Sequence, residues 1–100
     1  MGAEKKAEDH FVARIEEDGG EVRKLQWIGR RGAPDRFAAV YYWHGFAEIK
    51  APGEPLQDHQ EREIERLISL GVNVVVLDSV EAVDRFIARE KWALEGRDLA

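Results

Sequence analysis

The spacing of apolar residues predicts that the chain begins with a helix and continues into strands. Residues 4–18 place Ala7, Phe11 and Ile15 four residues apart, which is one stripe of an amphipathic helix. Gly19-Gly20 would end this helix, because glycine is common just past a helix C-terminus. Three runs rich in strand-forming residues follow at 21–28, 36–43 and 46–50, and His44-Gly45 is the expected tight hairpin turn between the last two.

The second half of the chain predicts a helical crossover and a final helix. Residues 56–70 have helical spacing and end at Gly71, and residues 72–77 form a nearly all-apolar run, as expected of a strand covered on both faces. Asp78 and Glu81 resemble a capping box that opens the last helix. The predicted order is α-β-β-β-α-β-α. This order indicates one α/β domain over residues 1–100, with its core at about 4–89 and helices packed on a mixed central sheet.

Composition narrows the possible functions. The chain has 100 residues, of which 44% are hydrophobic and 35% charged, as is typical of one globular domain. It has no cysteine, which excludes thiolate metal sites and disulfides. Its three histidines lack the spacing of a zinc site. No glycine-rich nucleotide-binding signature is present, so no nucleotide cofactor is expected. Without a long apolar run or a signal-like N-terminus, we expect a cytoplasmic protein with no membrane partner.

Charge is unevenly distributed along the chain. The net charge is −5, which argues against a generic basic nucleic-acid coat, yet residues 22–50 hold six basic and only two acidic residues. These basic residues could be solvated loop charges, but their clustering favours contacts with DNA backbone phosphates. The candidates are Arg23, Lys24, Arg30, Arg31 and Arg36.

The two acidic residues of this basic segment carry the chemistry. Pro34-Asp35 is followed, after twelve residues, by Glu48-Ile49-Lys50. A hairpin would bring Asp35 beside Glu48, and strand alternation would place Glu48 and Lys50 on one face. Two carboxylates, with the Ile49 carbonyl as a further oxygen ligand, suit Mg²⁺ or Mn²⁺. A lysine beside such a metal can orient or help deprotonate water, while the metal neutralises charge on a phosphodiester.

These residues resemble the PD-(D/E)xK nuclease superfamily, and more closely its small stand-alone VRR-NUC (virus-type replication-repair nuclease) domains. The resemblance covers roughly residues 8–87 and rests on the order and spacing of a set of motifs. These are Lys24, the segment from Arg31 to Arg36, the segment from Glu48 to Gly53, Leu56, Gln60, Leu67 and Gly71.

The resemblance implies a restriction-endonuclease-like fold and a metal-dependent, structure-selective DNA endonuclease. It implies metal binding by Asp35, Glu48 and the Ile49 carbonyl, with Lys50 as catalytic base or water-orienting residue, and Gln60 facing the site and DNA. A first-helix glutamate often completes such sites. Glu8 is the better match, and Glu4 the poorer one. The stand-alone forms resemble Holliday-junction resolvases, which implies a homodimer on four-way or other branched DNA.

Three alternatives remain open from the sequence. The domain could bind DNA junctions without catalysis, and it would then bind with steep salt dependence but never cleave. It could be a structural or interaction protein in which Asp35, Glu48 and Lys50 only stabilise a hairpin. Within the enzyme class it could be a less selective nuclease, including an exonuclease, which circular and linear substrates would separate.

Overall fold

A computed structural model describes residues 2–99, with side chains described through residue 96. Its elements are α1 (Ala3–Glu17), β1 (Glu21–Lys24), β2 (Arg36–Val40), β3 (Trp43–Ile49), α2 (Asp58–Ser69), β4 (Val74–Leu77) and α3 (Val80–Leu99). The order α-β-β-β-α-β-α confirms the prediction. Within residues 2–99, no helix combines the length and apolarity needed to cross a membrane.

The four strands form one mixed sheet in the order β1-β2-β3-β4. The first three strands pair antiparallel, and β4 pairs parallel with β3. A parallel pair requires a crossover, which α2 supplies between the two strands. The mixed sheet expected from the sequence is therefore confirmed.

Alternation along β3 divides the protein into a core side and a site side. Ala47 and Ile49 are fully buried in the main core, together with apolar residues of α1 and α3 such as Phe11 and Ile87. Glu48 lies between them in sequence and therefore points to the opposite face. On that face it contacts α2, so β3 supplies the core from one side and the candidate chemistry from the other.

The hairpin turn lies three residues earlier than predicted. Val40 pairs with Trp43, so Tyr41-Tyr42 forms the turn, and His44-Gly45 lies within β3. The sequence prediction was wrong because Gly45 serves packing and not turning. A Cβ there would lie 2.3 Å from the backbone oxygen of Asn73, so only glycine allows this close approach of the segment before β4.

Three further boundary predictions need correction. The first strand ends at Lys24 and not at residue 28, although the Leu25 amide still donates to the Asp35 carbonyl at 3.1 Å. The last strand is a sheet edge with Val76 41% exposed, so it is not covered on both faces. The last helix is capped by Ser79, whose Oγ accepts from the Ala82 amide, and not by Asp78.

Candidate active site

Asp35 and Glu48 come together because they flank adjacent strands. Asp35 precedes β2, and Glu48 is the penultimate residue of β3. Arg36 pairs with Ala47, so the next position of the ladder places Asp35 opposite Glu48 on the same face. The Ile49 amide donates a hydrogen bond to Asp35 Oδ2 at 2.9 Å, which fixes the carboxylate against the end of β3.

The buried Lys50 and the partly buried Gln60 complete a polar cluster around Glu48. Gln60 Nε2 donates to Glu48 Oε2 at 3.0 Å, and Gln60 Oε1 accepts from Lys50 Nζ at 3.0 Å. Lys50 Nζ also lies 3.5 Å from Glu48 Oε2. Gln60 is oriented in turn by the Gln57 amide, which donates to Gln60 Oε1 at the start of α2. The helix start therefore sets where Lys50 and Glu48 can point.

Burial and, after it, the neighbouring Asp35 carboxylate raise the pKa of Glu48 from 4.5 to about 7, a net value in which Lys50 partly offsets both effects. Glu48 is only 2% exposed. Burying a carboxylate next to a second one is costly unless a cation neutralises them. A perturbed acid with specific charged neighbours is typical of a functional site.

The donor set fits a hard divalent cation with few protein ligands. Among the side chains described, no group of three or more His, Cys, Asp or Glu residues forms a metal cluster. The available oxygens are thus the Asp35 and Glu48 carboxylates and the Ile49 carbonyl. Mg²⁺ is commonly bound by one or two carboxylates and keeps several waters. Such an ion would relieve the electrostatic repulsion between the Asp35 and Glu48 carboxylates.

Glu8 lies apart from this pair in the structure. Its carboxylate pairs with Arg36 at 2.6 Å, and Arg36 also donates to the Asp35 carbonyl. Glu8 is therefore linked to the start of β2 through Arg36. Its role as a metal ligand stays a prediction. No contact of Glu4 bears on the site.

The predicted DNA-binding residues divide into two groups. Gln60 lies in the site itself, and Arg36 is partly buried against Glu8. Lys24 is exposed at the end of β1, while Arg30 and Arg31 lie on the loop that follows and line a cavity against α2. The structure thus places Arg30 and Arg31 near one another and Lys24 on the neighbouring strand.

Sequence reasoning missed Glu63, a buried carboxylate on α2. Its oxygens accept from Trp27 Nε1 at 2.7 Å and from Arg30 Nη2 at 3.0 Å. A signal was available, because Glu63 lies three residues after Gln60 and beside Ile64, on the helix face expected to be inward. A charged residue on an inward face predicts a buried ion pair.

Comparisons with known proteins agree with this architecture. The chain is 45% identical over 75 residues to "Putative nuclease p44" of Acyrthosiphon pisum secondary endosymbiont phage 1, a match that spans 72% of this chain and 78% of that protein. A solved structure described as "VRR_NUC domain" superposes with a TM-score of 0.82 and 36% identity, covering 88% of this chain and 97% of that one. No protein-family model matches the chain.

The fold is that of a nuclease domain, with a mixed sheet that presents an acidic pair and a lysine at adjacent strand ends. More particularly, the chain belongs to the VRR-NUC family. The fold class expected from the sequence is confirmed by this similarity.

Proposed function

We propose that this protein is a Mg²⁺-dependent DNA endonuclease whose active site consists of Asp35, Glu48 and Lys50. The observation that carries the proposal is the buried Glu48 carboxylate beside the partly buried Asp35 carboxylate, with the pKa of Glu48 raised to about 7 and the Lys50 amine 3.5 Å from it. A structural hairpin gains nothing from a buried carboxylate placed beside a second carboxylate, whereas a metal site requires such a pair. Mn²⁺ is expected to substitute for Mg²⁺.

The residues divide the work of phosphodiester hydrolysis. When bound, the metal supplies positive charge that neutralises the phosphate and activates water. Asp35 and Glu48 would hold it with their carboxylates, and the Ile49 carbonyl would add a backbone ligand. Lys50 would orient the attacking water or take up its proton, and Gln60 holds the Lys50 amine in place through its Oε1. The hydrogen bond from the Ile49 amide to Asp35 Oδ2 fixes the orientation of the Asp35 carboxylate.

Metal-dependent cleavage by site variants tests this proposal. Wild-type protein, Asp35→Ala and Lys50→Ala would be incubated with labelled DNA in Mg²⁺, Mn²⁺ or chelator, with Lys6→Ala as a charge-matched control on the exposed face of α1. We expect cleavage by wild type and Lys6→Ala only, and only with metal. Binding without cleavage in either metal would sink the enzyme proposal and favour a junction-binding module.

We further propose that the enzyme cuts branched DNA, such as a four-way junction, as a homodimer. The support is the family membership and the size of the domain, because one small domain carries a single site and paired cuts need two. A substrate panel of four-way junction, nicked duplex, linear duplex and circle would be digested beside light-scattering measurement of the solution mass. Symmetric cuts on the junction by a dimer would support the proposal. Equal cutting of all substrates would leave a less selective nuclease, and dependence on free ends would leave an exonuclease.

A further inference from the structure

A basic cavity lies between α2 and the loop that joins β1 to β2, outside the proposed catalytic site. Its volume is about 300 Å³. It is lined by Arg30, Arg31, His59, Arg62, Glu63 and Arg66. We call this the arginine pocket. Of these lining arginines, only Arg30 and Arg31 were expected from the sequence to contact DNA, so the structure adds Arg62 and Arg66 from a different part of the chain.

The arginine pocket is held in shape by buried contacts. Glu63 is almost fully buried and anchors Trp27 and Arg30 to α2 by the hydrogen bonds described above, with Arg66 Nε 3.6 Å from the same carboxylate. Gly32, with φ of +91°, lets the loop pass close to α2, because a Cβ there would lie 2.8 Å from the His59 carbonyl oxygen. The loop is thus held against the helix, with Arg30 paired to Glu63 and Arg31 exposed beside it.

The charges of the pocket are unbalanced. Four guanidinium groups face one carboxylate, an excess of three positive charges in a protein of net charge −5. Within the described side chains, Arg31 and Arg62 form no ion pair with any carboxylate. Arg62 also lines a second cavity, together with Asp58, Glu61 and Glu65, so it marks the border between this basic surface and an acidic one. Such a cluster suits an anion with several oxygens, above all a phosphate.

The pocket lies close to the proposed catalytic site along α2. Glu63 lies three residues after Gln60, and Arg66 lies six residues after it. These spacings place Glu63 about 4.5 Å and Arg66 about 9 Å from Gln60 along the helix axis. A DNA strand advances about 3.4 Å per nucleotide. A strand that runs along α2 with its scissile phosphate at Asp35 and Glu48 would therefore bring a phosphate one to three nucleotides away to the arginine pocket.

We propose that the arginine pocket binds one internal backbone phosphate of the substrate strand, one to three nucleotides from the cleaved bond. This inference rests on the proposed function for its register, and it assigns Arg62 and Arg66, with Arg30 and Arg31, to substrate binding. Glu63 is a positioning residue. Its carboxylate holds Arg30 and Arg66, and it does not bind the phosphate because two negative charges repel each other.

Binding measurements separate the pocket from general electrostatics. The affinity of the full-length protein for a labelled DNA junction would be measured against salt, with Ca²⁺ in place of Mg²⁺ to suppress cleavage. We expect the double variant Arg31→Ala/Arg62→Ala to bind at least about tenfold more weakly and to lower the slope of log K against log salt by about two. The matched control is Arg85→Ala/Arg89→Ala, which removes the same charge from exposed positions on α3 and should change affinity less than about twofold. Equal losses of DNA affinity in the two double variants would overturn the inference that the arginine pocket binds a phosphate.

Neutral linkages locate the bound phosphate. Single methylphosphonates would be placed at successive positions around the cleavage site, and a 5′-phosphate would be compared with a 5′-hydroxyl. We expect one internal position to weaken binding by wild type but not by Arg31→Ala/Arg62→Ala. A dependence on the terminal phosphate alone, or an equal loss in both proteins at every position, would refute the inference.

The two proposals fail in different ways. If no metal supports cleavage but the pocket variants still lose affinity at one position, the enzyme proposal falls, and the pocket stands as a phosphate site. If metal-dependent cleavage is observed and the pocket variants bind like the control, the enzyme proposal stands, and the pocket inference falls.

Discussion

Replacing Glu48 by glutamine should stabilise the metal-free protein. The side chain is 2% exposed, and burial and Asp35 raise its pKa from 4.5 to about 7, with the favourable effect of Lys50 already included. At pH 8 the carboxylate is ionised in both folded and unfolded states. The displaced pKa then costs the folded state about 3 kcal/mol, since each tenfold change in an equilibrium constant is worth about 1.4 kcal/mol. Glutamine has nearly the shape of the protonated acid and avoids this cost.

The sign of the pH dependence follows from linkage. Between pH 4.5 and about 7 the folded state binds more protons at Glu48 than the unfolded state does, so this group lowers stability as pH rises through that window. The advantage of Glu48→Gln should therefore be about 3 kcal/mol at pH 8 and less than about 1 kcal/mol at pH 5. Urea unfolding at both pH values in chelator measures it.

Metal binding supplies an independent readout of the same variant. If the site holds Mg²⁺ as proposed, Mg²⁺ should raise the Tm of the wild type at pH 8, because ligands that bind only the native state stabilise it. The same Mg²⁺ concentration should leave the Tm of Glu48→Gln nearly unchanged. A variant that is less stable than wild type at pH 8, or an advantage that does not shrink at pH 5, would refute the account of the buried carboxylate pair.

Two structural predictions concern packing and helix docking. Gly45→Ala should destabilise the fold by about 1–3 kcal/mol in urea unfolding, because the new Cβ meets backbone at Asn73, and a loss below about 0.5 kcal/mol would contradict the close approach. Asp84 is hydrogen-bonded by His10 at 2.6 Å and by Arg14, and these contacts hold its pKa below 3.8. Its stabilising effect is present above that pH and is lost as pH falls through the lowered pKa. Asp84→Asn should therefore lower the Tm at pH 6 by an amount that shrinks as the pH falls below 3.8, and a loss that is equal at every pH would argue against the charge as its cause.

Much of the fold could be predicted because local signals agree with the tertiary structure. The helix over residues 4–18 has a consistent apolar stripe and a glycine end, and the structure places α1 within one residue of it. Gly71, with φ of +89°, ends α2 as expected, and the apolar run after it forms the parallel strand. These elements follow from apolar periodicity and from glycines that end helices, and both signals depend only on residues close in sequence.

The turn and the edge strand could not be predicted because their causes are long-range. Glycine after histidine suggests a turn, but Gly45 is required by the backbone of Asn73, which is distant in sequence. The apolar residues near Val76 suggest a strand covered on both faces, yet the Val76 side chain is 41% exposed, so its face of β4 is not fully covered by another element. In both cases the local pattern is compatible with two environments, and only the assembled sheet selects one.

The candidate site shows the same division. The spacing between Asp35 and the Glu48-Ile49-Lys50 segment is enough to predict that they lie on two paired strands. The register of β2 and β3 places Asp35 opposite Glu48 on the same face of the sheet. The contacts of Gln60 with both Glu48 and Lys50 depend on the angle of α2, which no local pattern reveals. Their roles in catalysis and metal binding stay predictions.

The central claim is that Asp35, Glu48 and Lys50 form a metal-dependent phosphodiesterase site, and the most direct test is a cleavage rate. The initial rate of strand cleavage on a labelled junction would be measured across a Mg²⁺ titration for wild type and Lys50→Ala. The account predicts saturable Mg²⁺ dependence, no cleavage in chelator, and a loss of about 10²–10⁴-fold in Lys50→Ala, the range for a positioned proton-transfer group. Cleavage that persists in chelator, or at the wild-type rate in Lys50→Ala, would contradict it.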